Sequence, residues 1–147
     1  MQKLKYAIVG GYALALHGIV RATIDIDLIL SLKLQDFELA EKALNKLGLQ
    51  SRLPIHAKDV ITMRKEYIQK RNLLAWSFVD YQDPTRLVDI LILKDLKDIR
   101  TQKKMVGKNK IVVASLEELL KMKQAAKRPQ DLIDITKIQE KLREKNS

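Results

Sequence analysis

The sequence predicts an α/β chain of the α+β kind: a single mixed β-sheet flanked by helices, with a helical C-terminus, in one domain over residues 1–147. Three observations predict it. Short apolar runs of strand length recur through the first two-thirds of the chain. Between them lie helical patterns closed by Gly18 and Gly48, the residue type that ends helices. The last third then reads as helices announced by Ser115 and Pro129. At 147 residues the chain is long enough to bury one good core and short for two.

In order, Lys5 to Val9 is a short buried strand ending at Gly10-Gly11, and Tyr12 to His17 is an Ala/Leu-rich helix stopped by Gly18. Residues 23–30 form a second strand. Leu34 to Leu47 places Phe37, Ala40, Leu44 and Leu47 on one helical face. Gln50 to Ile55 reads as a short strand, and Asp59 to Arg71 as a helix in spite of Val60-Ile61-Thr62. Strands Leu74 to Tyr81 and Arg86 to Leu93 follow, joined by a turn at Asp83-Pro84. Ile111 to Ala114 is extended. Ser115 caps the next helix, with Glu118 completing a capping box. A last helix runs from Pro129 towards Leu142.

The formal net charge of +10 supports two readings, a lysine-rich solvated surface or a polyanionic partner, nucleic acid first among them. Seven basic residues fall between Lys94 and Lys110, after the strand of Asp89, where they would flank an RNA backbone or simply face water. No aromatics interleave them, so base stacking is not indicated there. Cysteine is absent, which excludes disulfides and thiolate metal sites. The start of the chain runs straight into a strand, and no apolar run approaches a membrane span. A cytoplasmic location with no membrane partner is the expectation.

The chemistry concentrates on acids. Asp25 and Asp27 alternate in Thr23-Ile-Asp-Ile-Asp-Leu-Ile-Leu30, so a strand puts both on one face, roughly 7 Å apart at Cα. Two like charges held together cost several kcal/mol unless a cation lies between them, and a divalent metal is the economical choice. Asp89 interrupts Leu87-Val-Asp-Ile-Leu-Ile-Leu93, the most hydrophobic run in the chain. Either backbone N–H groups or an arginine such as Arg86 compensate it, or it joins the other two acids. Gly10-Gly11 before a helix leaves room for a phosphate, although such pairs are often plain tight turns. Arg21 and Thr23, just ahead of the acid strand, are candidate phosphate contacts, as are Lys123 and Arg128. Asp131 and Asp134 suit a helix N-terminus and need no further role. His17 ends a helix, where positive charge is favoured, and neither it nor His56 has a spacing partner for a metal.

The run from Ile8 to Leu28, with Val9, Gly10, Gly11, Asp25 and Asp27 at set spacing, resembles the opening motif of the DNA polymerase β-like nucleotidyltransferase superfamily. It is most similar to the branch of minimal nucleotidyltransferases and abortive-infection toxin nucleotidyltransferases. Asp89 fits the third carboxylate of that family, and Lys123 with Arg128-Pro-x-Asp131 and Asp134 looks like a C-terminal feature of the branch. Residues 50–75 carry no part of the likeness. The resemblance implies the nucleotidyltransferase fold and transfer of a nucleoside monophosphate from a nucleoside triphosphate to a hydroxyl. It implies that Asp25, Asp27 and Asp89 bind two Mg2+ ions, or Mn2+, with Asp89 the candidate to deprotonate the acceptor. Gly10, Gly11, Arg21, Thr23, Lys123 and Arg128 would bind the nucleotide. RNA (tRNA by family analogy) or protein would be the acceptor, and a cognate toxin or antitoxin a partner. Gly11 stands where many members have serine, and the helix that often precedes the first strand is nearly missing. Two rival readings are a non-catalytic RNA- or protein-binding module on the same fold, and a small-molecule nucleotidyltransferase, which would need an acidic pocket that is not evident.

Overall fold

The computed structural model describes residues 3–20, 25–126 and 128–145. Its centre is one seven-stranded mixed sheet in the order β3-β4-β5-β2-β1-β7-β6. The strands are β1 (Tyr6–Val9), β2 (Ile26–Leu30), β3 (Gln50–Ser51), β4 (Ala75–Asp80), β5 (Asp83–Leu91), β6 (Thr101–Val106) and β7 (Asn109–Ala114). The helices are α1 (Gly10–Leu16), α2 (Leu34–Lys46), α3 (Ala57–Thr62), α4 (Arg64–Arg71), α5 (Leu116–Ala126) and α6 (Asp131–Lys145). β2 pairs with β5, and β1 with β7, in parallel; the other neighbours are antiparallel. No described helix is long and apolar enough to cross a membrane.

Register explains where the acids go. Val9 on β1 lies opposite Asp27 on β2, Asp27 abreast of Asp89 on β5, and Asp89 opposite Ser77 on β4. Partners in register share a face, so these four form one row across the sheet. The same register puts Leu28, Ile90 and Trp76 on the opposite face. There Trp76 packs with Phe37 of α2, rings stacked at 6.0 Å between centroids, and with Phe78 edge-on at 4.6 Å. The Trp76 indole N–H donates to Ser51 Oγ at 2.9 Å. A second cluster joins Ala7, Val9 and Ile29 of the sheet to Leu14, Leu116, Leu119 and Ile138 of α1, α5 and α6.

Several elements depart from the sequence expectations. α1 starts at Gly10 rather than Tyr12, so the glycine pair is its first turn. β3 stops at Ser51, because Ser51 Oγ donates to Leu53 O and turns the chain short of Pro54. The segment read as one helix over 59–71 is two helices broken at Met63. Glu41 of α2 holds the start of the first, accepting from the Ala57 N–H at 3.0 Å. The β4–β5 turn falls at Tyr81-Gln82, where Asp80 Oδ1 accepts from the Gln82 N–H, and Asp83-Pro84 already belongs to an exposed end of β5. Sequence reading gave no strand at β6, whose four central residues Gln102-Lys-Lys-Met105 look like surface until they pair with β7. Ser115 does accept from the Glu118 N–H, at 3.2 Å, but the Glu118 carboxylate turns to the Arg100 N–H instead of closing a capping box. α6 begins at Asp131, with Pro129 in the turn before it.

Candidate functional site

At the C-terminal end of β1 the chain turns through Gly10 with φ +72°, a conformation that L side chains rarely adopt. A Cβ at this position would also collide with the carboxylate of Asp27. Glycine is therefore required twice over. No described side chain caps α1, and Gly10 and Gly11 both line a cleft of about 440 Å³.

Asp25, Asp27 and Asp89 line the same cleft. Asp25 sits just before β2 and is exposed, while Asp27 and Asp89 are half-buried, more open than an apolar strand pattern suggests. Burial pushes the Asp27 carboxyl up to about 6, and the neighbouring charges of Asp89 and then Asp25 push it the same way. Asp89 is not compensated by Arg86, whose guanidinium pairs with Asp80 at 2.7 Å and reaches the Leu47 carbonyl at 2.9 Å. Its partner is Ser77, which donates from Oγ to Asp89 Oδ1 at 2.5 Å. Among the described residues no three acidic or imidazole side chains are gathered tightly enough to enclose an ion, so the acids form an open row. Their donor set, all carboxylate oxygen with mutual repulsion, fits hard divalent cations such as Mg2+ or Mn2+.

Lys123 and Arg128 complete the cleft on the side of α5. Lys123 is an inward residue, its side chain 13 % exposed, with Nζ at 3.1 Å from Asp131 and 3.2 Å from Asp134. Arg128 donates to Asp131 from Nε at 2.9 Å and from Nη2 at 3.2 Å. Asp131 and Asp134 are almost wholly buried, which corrects the reading that assigned them only to the helix dipole. They balance and fix the two cations. The hydrogen bond from Arg128 holds the Asp131 carboxyl below the ordinary carboxylate range, against the opposing effect of burial. Lys123 and Arg128 remain close enough to the acid row to lower Asp27 in turn.

Seven of the nine site residues expected from sequence thus meet in one cleft. Arg21 and Thr23 lie outside the described residues. Sequence reasoning passed over Ser77, whose signal was a lone hydroxyl between Trp76 and Phe78 in a strand. It also gave His17 a charge-favouring position. Burial pushes its imidazole down instead, and Nε2 donates to the Ala114 carbonyl at 2.8 Å, joining α1 to β7. His56 lies apart, paired with Glu41 at 2.7 Å.

No protein-family model matches the chain, and no curated protein sequence matches it either.

Proposed function

We propose that this chain is a metal-dependent nucleotidyltransferase that moves a nucleoside monophosphate from a nucleoside triphosphate to a hydroxyl acceptor. One observation carries the reading: Asp25, Asp27 and Asp89 face a single cleft that also contains Gly10-Gly11, Lys123 and Arg128. Asp25, Asp27 and Asp89 would hold Mg2+ or Mn2+, two ions in all, which when bound stabilise charge on the attacking and leaving oxygens. Every other part belongs to the chain itself.

In this reading the acceptor oxygen forms a bond to the α-phosphorus while the bond to the bridging oxygen of the β-phosphate breaks, and pyrophosphate leaves. Asp89, its Oδ1 occupied by Ser77, takes the acceptor proton on Oδ2. Lys123 and Arg128, immobilised by Asp131 and Asp134, present charge to the triphosphate without reorganising. The bare backbone at Gly10-Gly11 lets phosphate oxygens approach closely. Arg21 and Thr23 stay candidates for further phosphate contacts. Such catalysis is positioning and charge stabilisation, within reach of a small chain.

The surplus of basic charge favours RNA over protein as acceptor. A role beside a cognate toxin or antitoxin rests on the sequence resemblance alone. The test is incubation with labelled nucleoside triphosphates, Mg2+ and total RNA, next to Asp27→Ala. Label entering RNA with the native chain and not the variant supports the reading. RNA binding that is equal in both proteins, with no transfer to RNA or protein, would establish the rival non-catalytic binding module.

A further inference from the structure

Beside the acid row and the two cations, the cleft has apolar walls. Leu74, Leu91 and Leu93 line it from the sheet, and Leu119, Met122 and Ala126 from α5. Leu74 precedes β4 and its carbonyl accepts from the Ile92 N–H at 3.1 Å, which holds it against the chain just beyond β5, and it lines the same cleft as Leu93. Leu119, Met122 and Ala126 stand at i, i+3 and i+7, so they form one stripe of the helix. Two apolar walls therefore face one cleft.

These walls have an unusual exposure. Leu74 is 43 % exposed and Leu93 49 %, although both border a cleft built around three carboxylates. Single exposed leucines need no explanation, but a pair set against a helical apolar stripe makes a slot. Leu91 follows Asp89 by two positions on the same strand face, about 7 Å along the strand. That offset is comparable to the distance a ribose puts between its 5′-phosphate and its base. Two backbone acceptors at the rim are already engaged, since Arg64 donates to the Ile92 and Leu93 carbonyls at 2.6 and 3.1 Å.

We propose, resting on the nucleotidyl-transfer reading, that Leu74 and Leu93 with Met122 form the slot for the nucleobase. The slot holds the base by apolar contact on its faces and accepts purines and pyrimidines alike. Strong discrimination among bases requires hydrogen bonds to their edges; these apolar side chains offer none, so they separate bases weakly, by about a hundredfold at most.

The experiment measures binding of ATP, GTP, CTP, UTP and inorganic tripolyphosphate, each with Mg2+, to the full chain and to Leu74→Ala, Leu93→Ala and Met122→Ala. Substitutions from both walls guard against a single variant that misfolds, and Trp76 fluorescence verifies each fold. All four nucleotides should bind the native chain within about a hundredfold of one another. Each variant should weaken all four by about tenfold and leave tripolyphosphate unchanged. Equal losses for tripolyphosphate, unchanged nucleotide binding with slower transfer, or a preference for one base of about ten-thousandfold would each overturn the slot. Native chain that binds tripolyphosphate as tightly as nucleotides overturns the slot and spares the underlying reading. Native chain that binds neither removes both.

Discussion

Asp27 feels burial, Asp89 and Asp25 all acting in one direction, which raises its carboxyl to about 6. A carboxyl raised in the folded state stabilises the fold only while protonated; that contribution is complete below its ordinary value and disappears as pH rises through about 6. In metal-free solution, the urea midpoint of the native chain should therefore fall between about pH 4 and pH 7, and Asp27→Asn should flatten this slope. At neutral pH the variant should be the more stable protein and should not transfer nucleotides, a trade of stability for chemistry. Added Mg2+ should raise the native midpoint and leave that of Asp27→Asn nearly unmoved. A native midpoint indifferent to both pH and Mg2+ would contradict this account. Asp27 and Asp89 were legible in the sequence because acids inside apolar runs are expensive. Ser77 was not, because a strand hydroxyl has too many ordinary uses.

Among the helices, α5 and α6 depend on one ion cluster. Asp131 is fully buried and takes hydrogen bonds from both Lys123 and Arg128. Asp131→Ala would leave Lys123 inward-facing with only part of its compensation, and breaking a buried pair costs about 3–5 kcal/mol. The melting temperature should drop accordingly, and nucleotide binding should weaken because both cations lose their hold. Asp131→Asn, which keeps a hydrogen-bond acceptor, should lose less of each. Equal stability in native and Ala proteins would show the cluster to be ornamental. From the residues alone the cluster was hidden, because Asp at the first turn of a helix is ordinary; burial is a tertiary property. β6 was hidden for the converse reason. Its lysines look like surface, and only pairing with β7 makes them a strand.

For the molecule as a whole, the sheet separates two kinds of work. Its α2 face is dense apolar packing around Trp76, the sole tryptophan, while the other face carries the acid row. Trp76→Ala should cost about 3–5 kcal/mol by chemical denaturation and leave the acid row chemically intact. If the variant is as stable as the native chain, the Phe37–Trp76–Phe78 stack is not the keystone of that face. The one-sheet architecture and its helical C-terminus were readable from period and punctuation. The strand order was not, since β1 pairs with β7 across most of the chain and no local pattern records it. The sheet ends at β3 on one side, only two residues long, and at the six-residue β6 on the other. An unpaired rim of that length is a template on which another copy can stack, and lysines are the common deterrent. Lys103 and Lys104 along β6 give two approaching rims a like-charged ladder to overcome. Part of the basic surplus thus falls where it would keep two copies from pairing edge to edge.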